Sequence, residues 1–280
     1  MRQEHYKKIS HGIPDQDGVK PDIQKTKNEA RLYGPHWNII HGGYFADPNV
    51  SRPFIQVITR ALEAQTPALV ADLGGGTGYI LEEVLQERTY PEVRFVNVDL
   101  SGEQTSTCRN TRVESLNLNV FEITRPQFGI TQEPLMFIMR SVLHYSGQDG
   151  LRPFLKHIRG QMQKGEIFIH QTACFERDGD AACLNQLYQL MKTQKWYPMT
   201  ETLKGILNEE GFNIEDTCPA PKLMLQSAEL AERYHLSHKD VSSIGEEINR
   251  EFGETPEVFV RHPDGYTAYL HYEIFTCRAT

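Results

Sequence analysis

The sequence predicts an α/β protein, a mostly parallel sheet with helices packed on both faces. Short apolar runs alternate with segments of helical periodicity from about residue 51 to the C-terminus, and such alternation builds βαβ units. The first apolar run, Leu69–Ala71, meets an acid, Asp72, and then a turn with glycines at 74, 75, 76 and 78. Glycine is needed where backbone takes positive φ or passes close to a ligand. The chain has 280 residues, enough for one large domain or one domain plus a cap.

The elements follow in order. Residues 1–30 are polar and carry Gly12, Pro14, Gly18 and Pro21; they read as poorly ordered or as a segment that folds over a ligand. Residues 29–46, EARLYGPHWNIIHGGYFA, are dense in aromatics. Ser51 with Pro53 just inside starts a helix to about Ala64, its apolar residues at helical spacing. Strands are expected at about 68–73, 93–99, 116–123, Leu135–Arg140 and Glu166–Thr172, with helices at about 78–88, 102–112 and 148–162 between them. A helix at Thr200–Glu210 ends at Gly211, a suitable left-handed cap, and strands follow at about 212–218 and Thr267–Cys277. Two stretches, 174–199 and 220–265, exceed a minimal sheet domain. Sites in such folds lie beyond the carboxyl ends of the strands, so these stretches and the N-terminus are read as a substrate cap.

The glycine spacing separates two ligand classes. A dinucleotide turn reads G-x-G-x-x-G; counting from Gly74, its third glycine would fall at 79, where Tyr79 stands. The chain instead carries D-x-G-x-G-x-G over Asp72–Gly78. A second strand, RFVNVDL, ends in Asp99, 25 residues beyond Gly74. In these two features the sequence resembles the class I S-adenosylmethionine-dependent methyltransferases. The resemblance covers about 68–173 well and 200–218 and 267–277 loosely. It implies a Rossmann-like, doubly wound, seven-stranded sheet of order 3-2-1-4-5-7-6 with strand seven antiparallel, under a helical cap built from the N-terminus and the insertions. The implied division is a cap segment at 1–50 and a cofactor domain at 51–280.

The resemblance also implies roles. Asp72 would orient the methionine ammonium, Gly74, Gly75, Gly76 and Gly78 would bring backbone to the cofactor, and Asp99 would hold the ribose hydroxyls, since a carboxylate accepts two hydrogen bonds at once. Leu100 would pack on adenine, and Arg140 to Leu143 would border the cofactor. Strand three, SLNLNVFEI, lacks the usual Gly-Asp, which leaves Asn119 as the adenine candidate. The cofactor is S-adenosyl-L-methionine, with S-adenosyl-L-homocysteine as product.

Methyl transfer to oxygen or nitrogen often needs a base. His144 in MRSVLHY and His170 in IFIHQTACF are the candidates, each with an ordinary pKa of about 6.5. Tyr33, Trp37, Tyr44, Phe45, Tyr145 and Gln171 are the candidates for lining an acceptor pocket, and His36 and His41 stand among the first four and could wall it too. His36 and His41 are five apart, off one helical face, so no metal site is expected.

Net charge is −8 and the pI about 5.8, which argues against a nucleic acid partner. Five scattered cysteines form no C-x-x-C pair and read as reduced thiols. No apolar run reaches a membrane-spanning length of about 18 residues, and the N-terminus carries no secretory pattern; the cytoplasm is the expected location. The expected partner is a small or medium-sized acceptor, with a homodimer as the assembly considered. Two alternatives are a protein of the same fold and cofactor that does not transfer methyl, and an NAD-dependent oxidoreductase.

Overall fold

The computed structural model describes residues 39–280. Its sheet contains β1 (Leu69–Leu73), β2 (Arg94–Asp99), β3 (Val113–Asn117), β4 (Leu135–Arg140), β5 (Ile167–Ala173), β6 (Phe212–Gln226), β7 (Phe259–His262) and β8 (Gly265–Ala279). The order is β3-β2-β1-β4-β5-β8-β6, with β7 beside β8. The first five strands are parallel, and β8 runs antiparallel to β5, β6 and β7. This is the expected seven-strand order with one strand added.

The helices are α1 (Pro48–Ala64), α2 (Tyr79–Glu87), α3 (Gly102–Thr105), α4 (Gly147–Gly160), α5 (Asp178–Leu190), α6 (Thr200–Glu209), α7 (Ser227–Tyr234) and α8 (His238–Phe252). Phe54, Ile58 and Leu62 of α1 join Ile80, Leu81 and Val84 of α2 on one sheet face. On the other face, Leu151, Phe154 and Ile158 of α4 meet Leu203 and Leu207 of α6. Both sheet faces are thus covered, which is why the central strands are buried along their whole length.

A third apolar cluster lies beyond the carboxyl edge of the parallel strands. It joins Leu184 and Leu187 of α5, Leu230 of α7 and Ile248 of α8 to Leu225 of β6 and Leu270 of β8. Strands β6 and β8 are each 15 residues long. Their upper parts pair Leu223–Gln226 with Thr267–Leu270, past Tyr272, the partner of the last β5 residue. The overhang stands as a wall beside the ends of β4 and β5.

Several boundaries differ from expectation. The helix expected at 102–112 stops at Thr105, because the Ser106 and Thr107 hydroxyls take the carbonyls of Glu103 and Gln104 and Glu82 binds the amides of Arg109 and Asn110. Strand three lies at Val113–Asn117 rather than 116–123; the Asn119 side chain accepts from the Phe121 amide at 3.1 Å and turns the chain. Helix α1 starts at Pro48, capped by Asp47, whose carboxylate accepts from the Asn49 amide at 2.8 Å. The insertion at 220–265 holds helices but also completes β6 and adds β7.

His170 lies in the core rather than at the strand mouth. It is fully buried, stacked between Phe168 and Phe275 with centroids at 4.8 and 4.9 Å, and its Nδ1 is 2.7 Å from the Thr172 hydroxyl. Burial pushes its pKa down to about 3. Between that value and about 6.5 the unfolded chain takes up a proton that the folded state refuses, so stability falls as pH drops. Urea unfolding should therefore weaken in this window by roughly 1.4 kcal/mol per pH unit more for the wild type than for His170→Asn. Parallel pH dependences would contradict the placement.

Candidate functional site

Asp72 is the next-to-last residue of β1 and is 1% exposed. Neither carboxylate oxygen has a hydrogen-bond partner among the described residues. The turn after it is shaped around that carboxylate. A Cβ on Gly75 would sit 2.5 Å from Asp72 Oδ2, so no side chain fits there. Gly74 has φ +77, and a Cβ on it would lie 2.6 Å from Val142 Cγ2; both conformation and space exclude other residues.

Arg140 closes β4 beside this turn. It is 8% exposed. Its Nη1 donates to the Phe45 carbonyl at 3.0 Å, and its guanidinium lies 5.6 and 5.5 Å from the Tyr44 and Phe45 ring centroids. Nε and Nη2 have no partner among the described residues. Burial holds its pKa below the usual arginine value, though a guanidinium stays charged at any ordinary pH. Burial and the neighbouring Asp99 push Asp72 up to about 7, against the opposing pull of Arg140. A buried acid and a buried base thus share one cleft, each with unused hydrogen-bonding capacity. Such groups carry a cost unless something occupies them.

Asp99 ends β2. Its Oδ2 accepts from the Gly76 amide at 3.0 Å and its Oδ1 from the Ser101 amide at 2.8 Å, which pins the carboxylate and leaves lone pairs on both oxygens. Burial raises its pKa, and those backbone bonds oppose the rise.

These residues line a cleft of about 140 Å³, which also takes in Leu100, Asn119 and Phe121. Gly74, Gly75 and Gly76 line it too. Gly78 caps α2 in left-handed geometry and packs toward Cys108 instead. A second, much smaller chamber, of about 20 Å³, adjoins the cleft and shares Phe45, Ser141, Tyr145 and Arg233 with it. His144 lines this chamber, its ring 4.3 Å from Tyr145 and 5.4 Å from Tyr197 between centroids.

Other expected residues stand elsewhere. Tyr44 is not on either cavity wall; its hydroxyl donates to the Pro221 carbonyl at 2.5 Å and its ring backs Arg140. Gln171 is buried behind Tyr44, donating to its hydroxyl at 3.4 Å. Both support the cleft from behind because their strand and turn face the interior there. Tyr33, Trp37 and His36 lie outside the described residues. Arg233 and Tyr272 escaped the sequence reading, and Ser141 entered it only as part of the stretch Arg140–Leu143. Ser141 carries the clearest structural mark, φ +60 on a non-glycine, with its hydroxyl 2.5 Å from that of Tyr272. Strain of this kind concentrates at functional sites, but no residue pattern announces it.

No protein-family model and no curated protein matches the chain. Solved structures do share its fold. A provisionally assigned methyltransferase of Bacillus halodurans is 14% identical, with a TM-score of 0.61 over 80% of this chain and 97% of that one. The 1,6-didemethyltoxoflavin-N1-methyltransferase of Burkholderia thailandensis, solved with 1,6-didemethyltoxoflavin and S-adenosylhomocysteine, is 18% identical, with a TM-score of 0.54 over 92% and 88%. The [4+2]-cyclase SpnF is 13% identical, with a TM-score of 0.58 over 93% and 97%. The chain therefore has the Rossmann-like methyltransferase fold.

The site's electrostatics can be checked on the free protein. Carboxyl ¹³C NMR should show one aspartate titrating near pH 7, and Arg140→Met should move its midpoint higher by removing the opposing charge. An Asp72 midpoint in the ordinary range near 4 would contradict the geometry.

Proposed function

We propose that the protein is an S-adenosylmethionine-dependent methyltransferase acting on a small or medium-sized metabolite. The observation that carries this reading is a buried carboxylate and a buried guanidinium at the glycine turn, each with polar atoms that have no partner among the described residues. An α-amino acid presents an ammonium and a carboxylate, and Asp72 and Arg140 offer the matching carboxylate and guanidinium in one cleft. Asp99, further along the same cleft, has the free lone pairs to accept from two vicinal hydroxyls. An amino acid joined to a nucleoside fits this sequence of groups.

A pyridine dinucleotide fits less well. Its diphosphate would sit at a turn where two buried carboxylates already raise each other's cost of ionisation. Likeness to structures solved with S-adenosylhomocysteine supports the same choice of ligand.

Each group in the cleft then has a task. Asp72 holds the ammonium and Arg140 the carboxylate, Asp99 the ribose, and Leu100 with Phe121 flanks the base, with Asn119 at its edge. When bound, the cofactor supplies a methyl group on a sulfonium, which leaves as a neutral thioether and needs no acid. The chain's own contribution is orientation: Phe45 and Tyr145, shared by both cavities, direct an acceptor toward the cleft, and alignment of this kind is worth several kcal/mol. The acidic net charge and the ring-lined chamber favour a small acceptor over a nucleic acid.

A second reading is retained because a cyclase, SpnF, shares the fold: the same cofactor site with another reaction beside it. Incubation with S-adenosylmethionine and a metabolite library separates the two, since only transfer releases S-adenosylhomocysteine. On the binding side, Asp99→Ala should weaken S-adenosylhomocysteine by about 1–3 kcal/mol in calorimetry, through loss of charge-assisted hydrogen bonds. An unchanged affinity with an intact fold, or tight binding of NAD alone, would end this reading.

A further inference from the structure

The chamber beside the cleft contains one residue whose setting exceeds any packing role. His41 lies on its wall, with backbone φ 52 and ψ 43, a left-handed conformation that costs a non-glycine residue about 1 kcal/mol or more. Its side chain is 3% exposed. Nδ1 is 2.9 Å from Glu229 Oε2, and Nε2 is 3.4 Å from Arg233 Nη1, one turn further along α7. A guanidinium can only donate, so Nε2 presents its lone pair and Nδ1 carries the hydrogen that Glu229 accepts. The contact to Arg233 is long, and a better donor can displace it.

Burial holds the His41 pKa below the ordinary histidine value, and the charges of Arg233 and Lys195 add to this, while Glu229 opposes it. The ring is therefore neutral at neutral pH. The other ionisable groups on the chamber wall are His144, Tyr145, Tyr188, Tyr197 and Tyr272. A neutral imidazole whose far nitrogen is fixed by a carboxylate is the arrangement of a general base. Four residues connect this chamber to the cleft.

We propose that His41, positioned by Glu229, accepts the proton of a nucleophile that carries its own hydrogen, so that the acceptor methylates on a hydroxyl oxygen or a ring N–H. This rests on the methyltransferase reading. In the balanced step, the heteroatom–methyl bond forms as the sulfur–methyl bond breaks, sulfur keeps that bond's electron pair, and the heteroatom's proton passes to Nε2. A carbon nucleophile, or a nitrogen without a hydrogen, needs no such acceptor at attack.

The experiment has a ligand-free arm and a kinetic arm. In ¹⁵N-histidine NMR of the full chain at pH 7.5, His41 should be neutral with Nδ1 protonated, and Glu229→Ala should abolish that tautomer preference. A cationic ring, or Nε2 as the protonated nitrogen, overturns the proposal. In the kinetic arm, hydroxylated and N–H heteroaromatic compounds are compared with their O- and N-methylated counterparts, and S-adenosylhomocysteine release is read. The first group should turn over and the second should not. His41→Asn should cut kcat by at least about a hundredfold and erase the acid limb of the pH–rate profile, a limb that persists in His144→Asn. Its S-adenosylhomocysteine affinity should stay within about threefold. Turnover of the methylated counterparts, or a His41→Asn kcat within about threefold of wild type, overturns the proposal. Failure of the wild type to bind S-adenosylhomocysteine overturns the methyltransferase reading instead, and the NMR arm still judges the geometry of His41.

Discussion

The rest of the site is arranged around a carboxylate buried at the end of the first strand. Asp72 is buried and has no hydrogen-bond partner among the described residues, a condition that costs several kcal/mol unless charge or hydrogen bonds compensate. Its position leaves no room for a side chain at Gly75. It also explains why a cation as hard to bury as Arg140 sits at the end of the adjacent strand, where β1 and β4 run side by side. Arg140 in turn needs Tyr44 and Phe45 as faces for its guanidinium. One desolvated charge thus links the turn, the neighbouring strand and the segment that enters α1.

The fold serves this arrangement by building two compartments. The parallel sheet ends at the cleft, while β6 and β8 continue beyond it and support a separate apolar cluster with α5, α7 and α8. The second chamber lies where these compartments meet, with Ser141 and Tyr145 from the sheet side and Arg233 and Tyr188 from the helices. On the proposed reading, an acceptor site made from the overhang would leave the cleft unaltered when the overhang varies. Separation of this kind lets one fold host several chemistries.

Much of the cofactor half was legible because its signals are local. The glycine turn, Asp72 and Asp99 are set by spacing within single βα units, and the strand order followed from the resemblance. The overhang was not legible for a physical reason: the expected strand stops at about 218, yet β6 runs on through Pro219 and Pro221, because it is an edge strand with a register shift there, where missing amides are tolerated. His170 shows a different limit. Alternation tells which residues share a face of β5, but not that both faces are covered: Phe168 and Phe275, which flank His170, belong to the cluster under α4 and α6. His41 acquires its setting from Glu229 and Arg233, each more than 180 residues away, and no local pattern encodes such a contact.

The most direct measurement is a crystal structure of the protein with S-adenosylhomocysteine. The account requires the amino-acid ammonium on Asp72, the carboxylate on Nε and Nη2 of Arg140, and the ribose hydroxyls on Asp99. A ligand that leaves Asp72 and Arg140 without contact, or that binds away from the glycine turn, would contradict it.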